Sequence, residues 1–125
     1  MEALGKHLLL ELIDCDAALL NDIEYLRKVV SDIAGLIGAT VIKDSFYQFT
    51  PQGVSGVLII AESHISIHTW PEYGFAAVDV FTCGDVIDPR DAVTPFVEKL
   101  KAASSSFIEM KRGMGDAVRE AASWK

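Results

Sequence analysis

Several things are scarce in this chain. Only two cysteines, Cys15 and Cys83, occur in 125 residues. Two isolated cysteines support neither a disulfide framework nor a zinc site. The three histidines are His7, His64 and His68. No HxH or HExxH spacing joins them, so no metal is expected. Basic residues are outnumbered, 11 Lys and Arg against 18 Asp and Glu, for a net charge of −7. Nucleic-acid binding needs a basic surface and is therefore not expected. No apolar run approaches the ~20 residues of a membrane helix, so no membrane partner is expected. The first residues lack a basic region followed by an apolar core, so the expected location is the cytoplasm.

What is present suits one folded domain, residues 1–125. Hydrophobic residues make up 50% and charged residues 23%, the balance of a globular chain. Lys6 to Ile13 reads as a strand. Leu19, Ile23, Leu26, Val30, Ile33 and Ile37 then recur at steps of four and three, which is one face of a helix. Gly38 is placed to cap it. Thr40 to Phe49 reads as a second strand, Thr50-Pro51-Gln52-Gly53 as a turn, and Val54 to Ala61 as an apolar third strand. Gly56 within it suggests a bulge or a close approach. His64 to Trp70 continues in extended form, and Phe75 to Thr82 is another strand. Asp88-Pro89 starts a second helix, with Pro95 predicting a kink or a restart capped by Thr94. Ser104-Ser105-Ser106 breaks the pattern before a short strand at Phe107 to Met110, and from Gly113 onward no element is legible. The order predicts an α+β two-layer sandwich: a mainly antiparallel sheet with two helices on one face. The strands around Val57 and Val78 are apolar on both sides, so a second copy is expected to cover the other face.

The polar density of Glu62 to Glu72 exceeds what a strand needs. Two histidines, two serines, two carboxylates and a tryptophan fall within it. Read blandly, Ser63 is a strand serine, His68 a satisfied core histidine, Cys83 an inert thiol and Glu72 a turn carboxylate; Trp70 and Phe49 are core aromatics. Read chemically, Ser63 beside His64 and near His68 is the minimum for nucleophilic catalysis. A hydrolase elbow needs Gly-x-Ser-x-Gly, which is absent around Ser63. Spacing alone leaves the two readings open.

The segment Glu62-Ser63-His64-Ile65-Ser66-Ile67-His68-Thr69-Trp70-Pro71-Glu72 closely resembles the self-cleaving segment of the prokaryotic S-adenosylmethionine decarboxylases. Gly53-Val54-Ser55-Gly56-Val57, Phe81-Thr82-Cys83-Gly84 and Gly5-Lys6-His7-Leu8 look like the same family, in the same order. The resemblance runs from about Leu4 to Gly113. It implies a precursor cut at Glu62–Ser63 into residues 1–62 and 63–125, with Ser63 becoming a pyruvoyl group. That carbonyl would form a Schiff base with S-adenosylmethionine and accept the electrons left by CO2, yielding decarboxylated S-adenosylmethionine for spermidine synthesis. By the same resemblance, Ser55 and His68 serve processing and Cys83 returns the proton. Phe49 would stack on adenine and Glu72 hold the ribose hydroxyls; Trp70 and Glu11 lie in matching blocks. The family pairs its domains into a homodimeric αββα sandwich.

Gln48 stands where the family commonly has a basic residue. That keeps arginine or ornithine in view as substrates of the same chemistry, beside a catalytically silent ligand-binding module. The full set Ser55, Ser63, His68 and Cys83 argues for the enzyme. Ser63 and His68 are five residues apart; on an extended strand that is roughly 16 Å, on opposite faces. Unless the strand bulges, a site shared between two copies is expected.

Overall fold

The computed structural model describes residues 3–116 and 118. Six strands form one sheet: β1 (Ala3–Ile13), β2 (Val41–Gln48), β3 (Val54–Ile60), β4 (Ser63–Trp70), β5 (Phe75–Cys83) and β6 (Ser104–Met114). Their order is β2-β3-β4-β5-β1-β6, and every pair is antiparallel. Helices α1 (Ala17–Leu20), α2 (Ile23–Leu36) and α3 (Val93–Leu100) cover one face. This is the expected two-layer α+β architecture.

Alternation decides what each face carries. Leu8, Leu10 and Leu12 of β1, Leu58 and Ile60 of β3, Ile65 and Ile67 of β4, and Val78 and Val80 of β5 are buried under the helices. They meet Leu26, Val30 and Ile33 of α2 and Phe96 and Leu100 of α3. Burying each such side chain contributes about 1.5–3 kcal/mol. The intervening residues form the opposite face, which nothing among the described residues covers. Leu9, Ile59, Trp70, Ile108 and Met110 are exposed there.

Four local expectations are corrected, and one, at Gly56, is narrowed. The first helical stretch is two helices, because Asp22 turns out of the helix and accepts the Tyr25 N–H on its side chain, so a new helix starts at Ile23. Gly56 marks a close approach: a Cβ there would lie 2.1 Å from the Phe46 ring. The register shift is between Val41 and Lys43 instead. The chain does not continue straight into His64. It reverses at Ala61-Glu62, with Ile60 and Ser63 paired across the turn. Pro95 neither kinks α3 nor leaves Thr94 as its cap: α3 starts at Val93 after a 3-10 turn, Pro89–Ala92, so Pro95 falls in its first turn, where its missing N–H costs nothing. The three serines belong to β6, Ser104 to Ser106 pairing with Ile13, Leu12 and Glu11. The illegible stretch after Gly113 falls partly outside the described residues.

Thr69 ties the layers together. Its buried Oγ1 donates to the Leu20 carbonyl at 2.7 Å and accepts the Val54 N–H at 2.9 Å. Thr69→Val should therefore lower unfolding free energy by about 1–3 kcal/mol, since two buried backbone groups lose their partner. Urea denaturation reads this out; an unchanged midpoint would contradict it.

Candidate active site

The sequence-selected residues fall into two groups. The first gathers where β3 and β4 meet the β2–β3 turn. Ser55 and His68 are directly opposed in the ladder, and Ser55 Oγ lies 2.8 Å from His68 Nδ1. Phe49, Ser55, His68, Trp70 and Glu72 line one cavity of about 300 Å³. The turn carrying Phe49 is held from below. Asn21 Oδ1 accepts from both Gln48 Nε2 and the Gly53 N–H, each at 2.9 Å, and Phe49 N–H donates to the Gly53 carbonyl at 2.8 Å. Gly53 has φ 101°, and a Cβ there would approach the Thr69 carbonyl to 3.1 Å. Gln48 is thus occupied in the turn. Glu72 sits on a 3-10 turn, Pro71–Tyr73, at the cavity rim.

The second group lies at the other end of β4. Ala61 and Glu62 make the two-residue reversal, clamped to Thr40: Ala61 N–H donates to the Thr40 carbonyl at 2.8 Å, and Thr40 N–H to Glu62 Oε1 at 3.1 Å. The Glu62 carbonyl accepts the Cys83 N–H at 2.7 Å. Ser63 follows with φ 146°, a backbone region that non-glycine residues rarely occupy. Cys83 ends β5 on the open face, exposed. A serine hydroxyl, a strained linkage and a carbonyl already hydrogen-bonded by a backbone N–H therefore meet at one peptide bond. Those residues fit the generation of a carbonyl group from Ser63.

The two groups do not meet within one chain. β4 is paired with β3 from Ser63 to His68 and with β5 from Ser63 to Trp70, and neither ladder shifts register. Five residues of such a strand span about 17 Å. Glu11 lies on the first group's side, in register with Ala77, which is itself opposite His68.

A third cluster escaped the sequence reading. Asp79 Oδ2 accepts from His7 Nε2 at 2.6 Å and from His64 Nε2 at 2.8 Å, and its Oδ1 from the Ser66 hydroxyl. Arg112 Nη1 lies 3.0 Å from His7 Nδ1. Guanidinium only donates, so His7 Nδ1 accepts and the ring proton sits on Nε2. His7, His64 and Asp79 have metal-ligand chemistry and proximity, but a protonated Nε2 is a donor to Asp79, not a ligand. The signal was a lone aspartate at an open-face position of an otherwise apolar strand.

Comparison with known proteins follows this geometry. The family model described as S-adenosylmethionine decarboxylase matches residues 6–113. The chain is 51% identical over 114 residues to the S-adenosylmethionine decarboxylase proenzyme of Thermodesulfovibrio yellowstonii, covering 91% of this chain and 84% of that one. It is 53% identical over 114 residues to the proenzyme of the same name from Clostridium tetani, covering 91% and 90%. The crystal structure of the adenosylmethionine decarboxylase from Aquifex aeolicus superposes with a TM-score of 0.84 at 37% identity, covering 91% of this chain and 94% of that one.

The two cysteines should behave differently. Burial, helped by the neighbouring Asp14 charge, pushes the Cys15 thiol up to about 11. Its folded pKa lies above the unfolded value, so the folded state holds a proton that the unfolded chain releases. Its contribution to stability is complete below pH ~9 and fades as pH rises towards 11. At pH 8, iodoacetamide should modify Cys83 in the native protein and Cys15 only after denaturation. Equal native labelling of both would contradict the burial argument.

Proposed function

This chain belongs to the S-adenosylmethionine decarboxylase family, and from that premise we propose that it is made as a precursor that cuts itself between Glu62 and Ser63. It is an enzyme, a decarboxylase of S-adenosylmethionine. The observation carrying the self-cleavage reading is the linkage itself: φ 146° at Ser63, with the Glu62 carbonyl held by Cys83 N–H at 2.7 Å.

Ser63 Oγ attacks the Glu62 carbonyl carbon. As charge builds on the carbonyl oxygen, the Cys83 N–H is already in place to stabilise it. The amide nitrogen departs as the Ser63 amine, leaving an ester. Backbone strain of this kind is worth about 1–3 kcal/mol, and cleavage removes the torsion that carries it. A base then takes the Ser63 α-proton and Glu62 leaves as a carboxylate. The dehydroalanine end takes up one water and releases ammonia, leaving the pyruvoyl carbonyl. His68, steadied through Nδ1 by Ser55, is the base. When formed, the pyruvoyl group supplies an electron sink for loss of CO2.

The remaining residues act around that carbonyl. Cys83 returns a proton to the α-carbon. Phe49 stacks on the adenine, Glu72 accepts from the ribose hydroxyls, and Trp70 faces the sulfonium, which aromatic faces favour. The substrate cavity contains His68 but not Ser63, so the working unit is a homodimer with shared sites. The uncovered, apolar-rich face is the surface that pairs. A twofold axis between the sheets, running across the strands, reverses strand direction. It sets the Ser63 and Cys83 end of one protomer over His68 of the partner subunit.

Freshly purified protein should split into fragments 1–62 and 63–125, the second without a free N-terminal amine. Ser63→Ala should stay whole. Cys83→Ala should still cleave and lose about 10²–10⁴ in turnover. With S-adenosylmethionine, arginine and ornithine offered side by side, CO2 should come from the first alone. Wild-type protein that remains intact after prolonged warm incubation would overturn the reading.

A further inference from the structure

Thr82 is unexplained by the fold. It is fully buried, and its Oγ1 has no hydrogen-bond partner among the described residues. Buried hydroxyls are normally paired, because the lost hydration is otherwise uncompensated. In the ladder it lies between Ser63 and Lys6, and valine there would fill nearly the same volume without that penalty. Ile60 pairs with Ser63 on one side of β4 and Thr82 pairs with Ser63 on the other. Thr82 is therefore the direct cross-strand neighbour of the scissile serine. It also immediately precedes Cys83, whose N–H holds the scissile carbonyl.

Directly opposed residues on one face of an antiparallel pair have Cβ atoms about 4.5–5.5 Å apart. Two hydroxyls at that separation come within hydrogen-bond reach by rotation about χ1 alone. By alternation, Ser63 shares the face of Ile65 and Ile67, and Thr82 that of Val80 and Val78. The two hydroxyls thus lie on one side of the sheet, across one ladder rung.

We propose that Thr82 is a positioning residue for self-cleavage: its free hydroxyl takes the Ser63 hydroxyl as partner and holds it in the rotamer that attacks the Glu62 carbonyl. The pairing also satisfies a buried group that is otherwise orphaned. Thr82 forms no bond to the reacting carbonyl and exchanges no proton with it. Its effect falls on ester formation, not on the elimination that follows. The proposal rests on cleavage at Glu62–Ser63.

The test follows precursor cleavage in wild type, Thr82→Val and Thr82→Ser, each with and without hydroxylamine, beside a thermal melt. Hydroxylamine intercepts the ester, giving a Glu62 hydroxamate and a free Ser63 amine. Thr82→Val should melt at or above the wild-type temperature, yet cleave about 10- to 100-fold more slowly, the range set by one hydrogen bond lost from an attacking group. Hydroxylamine should not rescue it, because little ester forms. Thr82→Ser should restore cleavage. If Thr82→Val cleaves at the wild-type rate, or hydroxylamine restores that rate, the proposal is overturned. If Thr82→Val does not fold, Thr82→Ala against Thr82→Ser carries the comparison, and equal rates overturn it. Wild type in the same series separates the two ideas: if wild type does not cleave, the self-cleavage reading itself fails.

Discussion

The Glu62 carbonyl and the Cys83 amide, 2.7 Å apart, close the β4–β5 ladder one step beyond Ser63. That bond holds the reversal at Ala61-Glu62 against the sheet. With both ends of the turn tied down, Ser63 has no freedom to relax its φ of 146°. The same bond leaves the carbonyl polarised by a donor that need not move when charge develops. On the proposed cleavage route, a structural hydrogen bond and an oxyanion donor are one interaction. In the proposed cleavage the strand end is freed while the ladder from Ser63 to Trp70 keeps the new terminus in place.

The second constraint is the continuity of β4. An unbroken strand separates Ser63 from the cavity lined by Phe49, His68, Trp70 and Glu72. Separation gives each end its own scaffold. Asn21 and Gly53 set the cavity turn, and Thr40 clamps the Ala61-Glu62 turn. Between them, Asp79 gathers His7, His64 and Ser66 on the open face. Arg112 lies against His7 and over the Phe81 ring, 5.5 Å from its centroid. Both Asp79 carboxylate oxygens meet donors, which suits a face that a second sheet would cover, where an unpaired charge would be costly.

Much of this was legible in the chain. The apolar spacing from Leu26 to Ile33 and the alternation of β5 specify which faces are buried, because periodicity is what burial selects. The proposed scissile segment is singled out only by resemblance, since its residue types also suit an ordinary strand. The reversal at Ala61-Glu62 was not, because it uses neither glycine nor proline. It depends on bonds to Thr40, far away in sequence. The Cys83 N–H was invisible for a simpler reason: backbone donors carry no residue signature. Asp22, which caps α2, leaves no mark on the spacing, because periodicity ignores whether a polar side chain caps or merely points outward.

The claim on which the account stands is that Ser63 and His68 serve one site from different chains. Co-expression of Ser63→Ala and His68→Ala precursors with distinguishable tags tests it directly. A mixed dimer then holds one site with both residues intact, built from Ser63 of the His68→Ala chain and His68 of the Ser63→Ala chain. The account predicts that the His68→Ala chain cleaves faster in the mixed dimer than alone. Mixed dimers that form but cleave no faster than His68→Ala alone would contradict it.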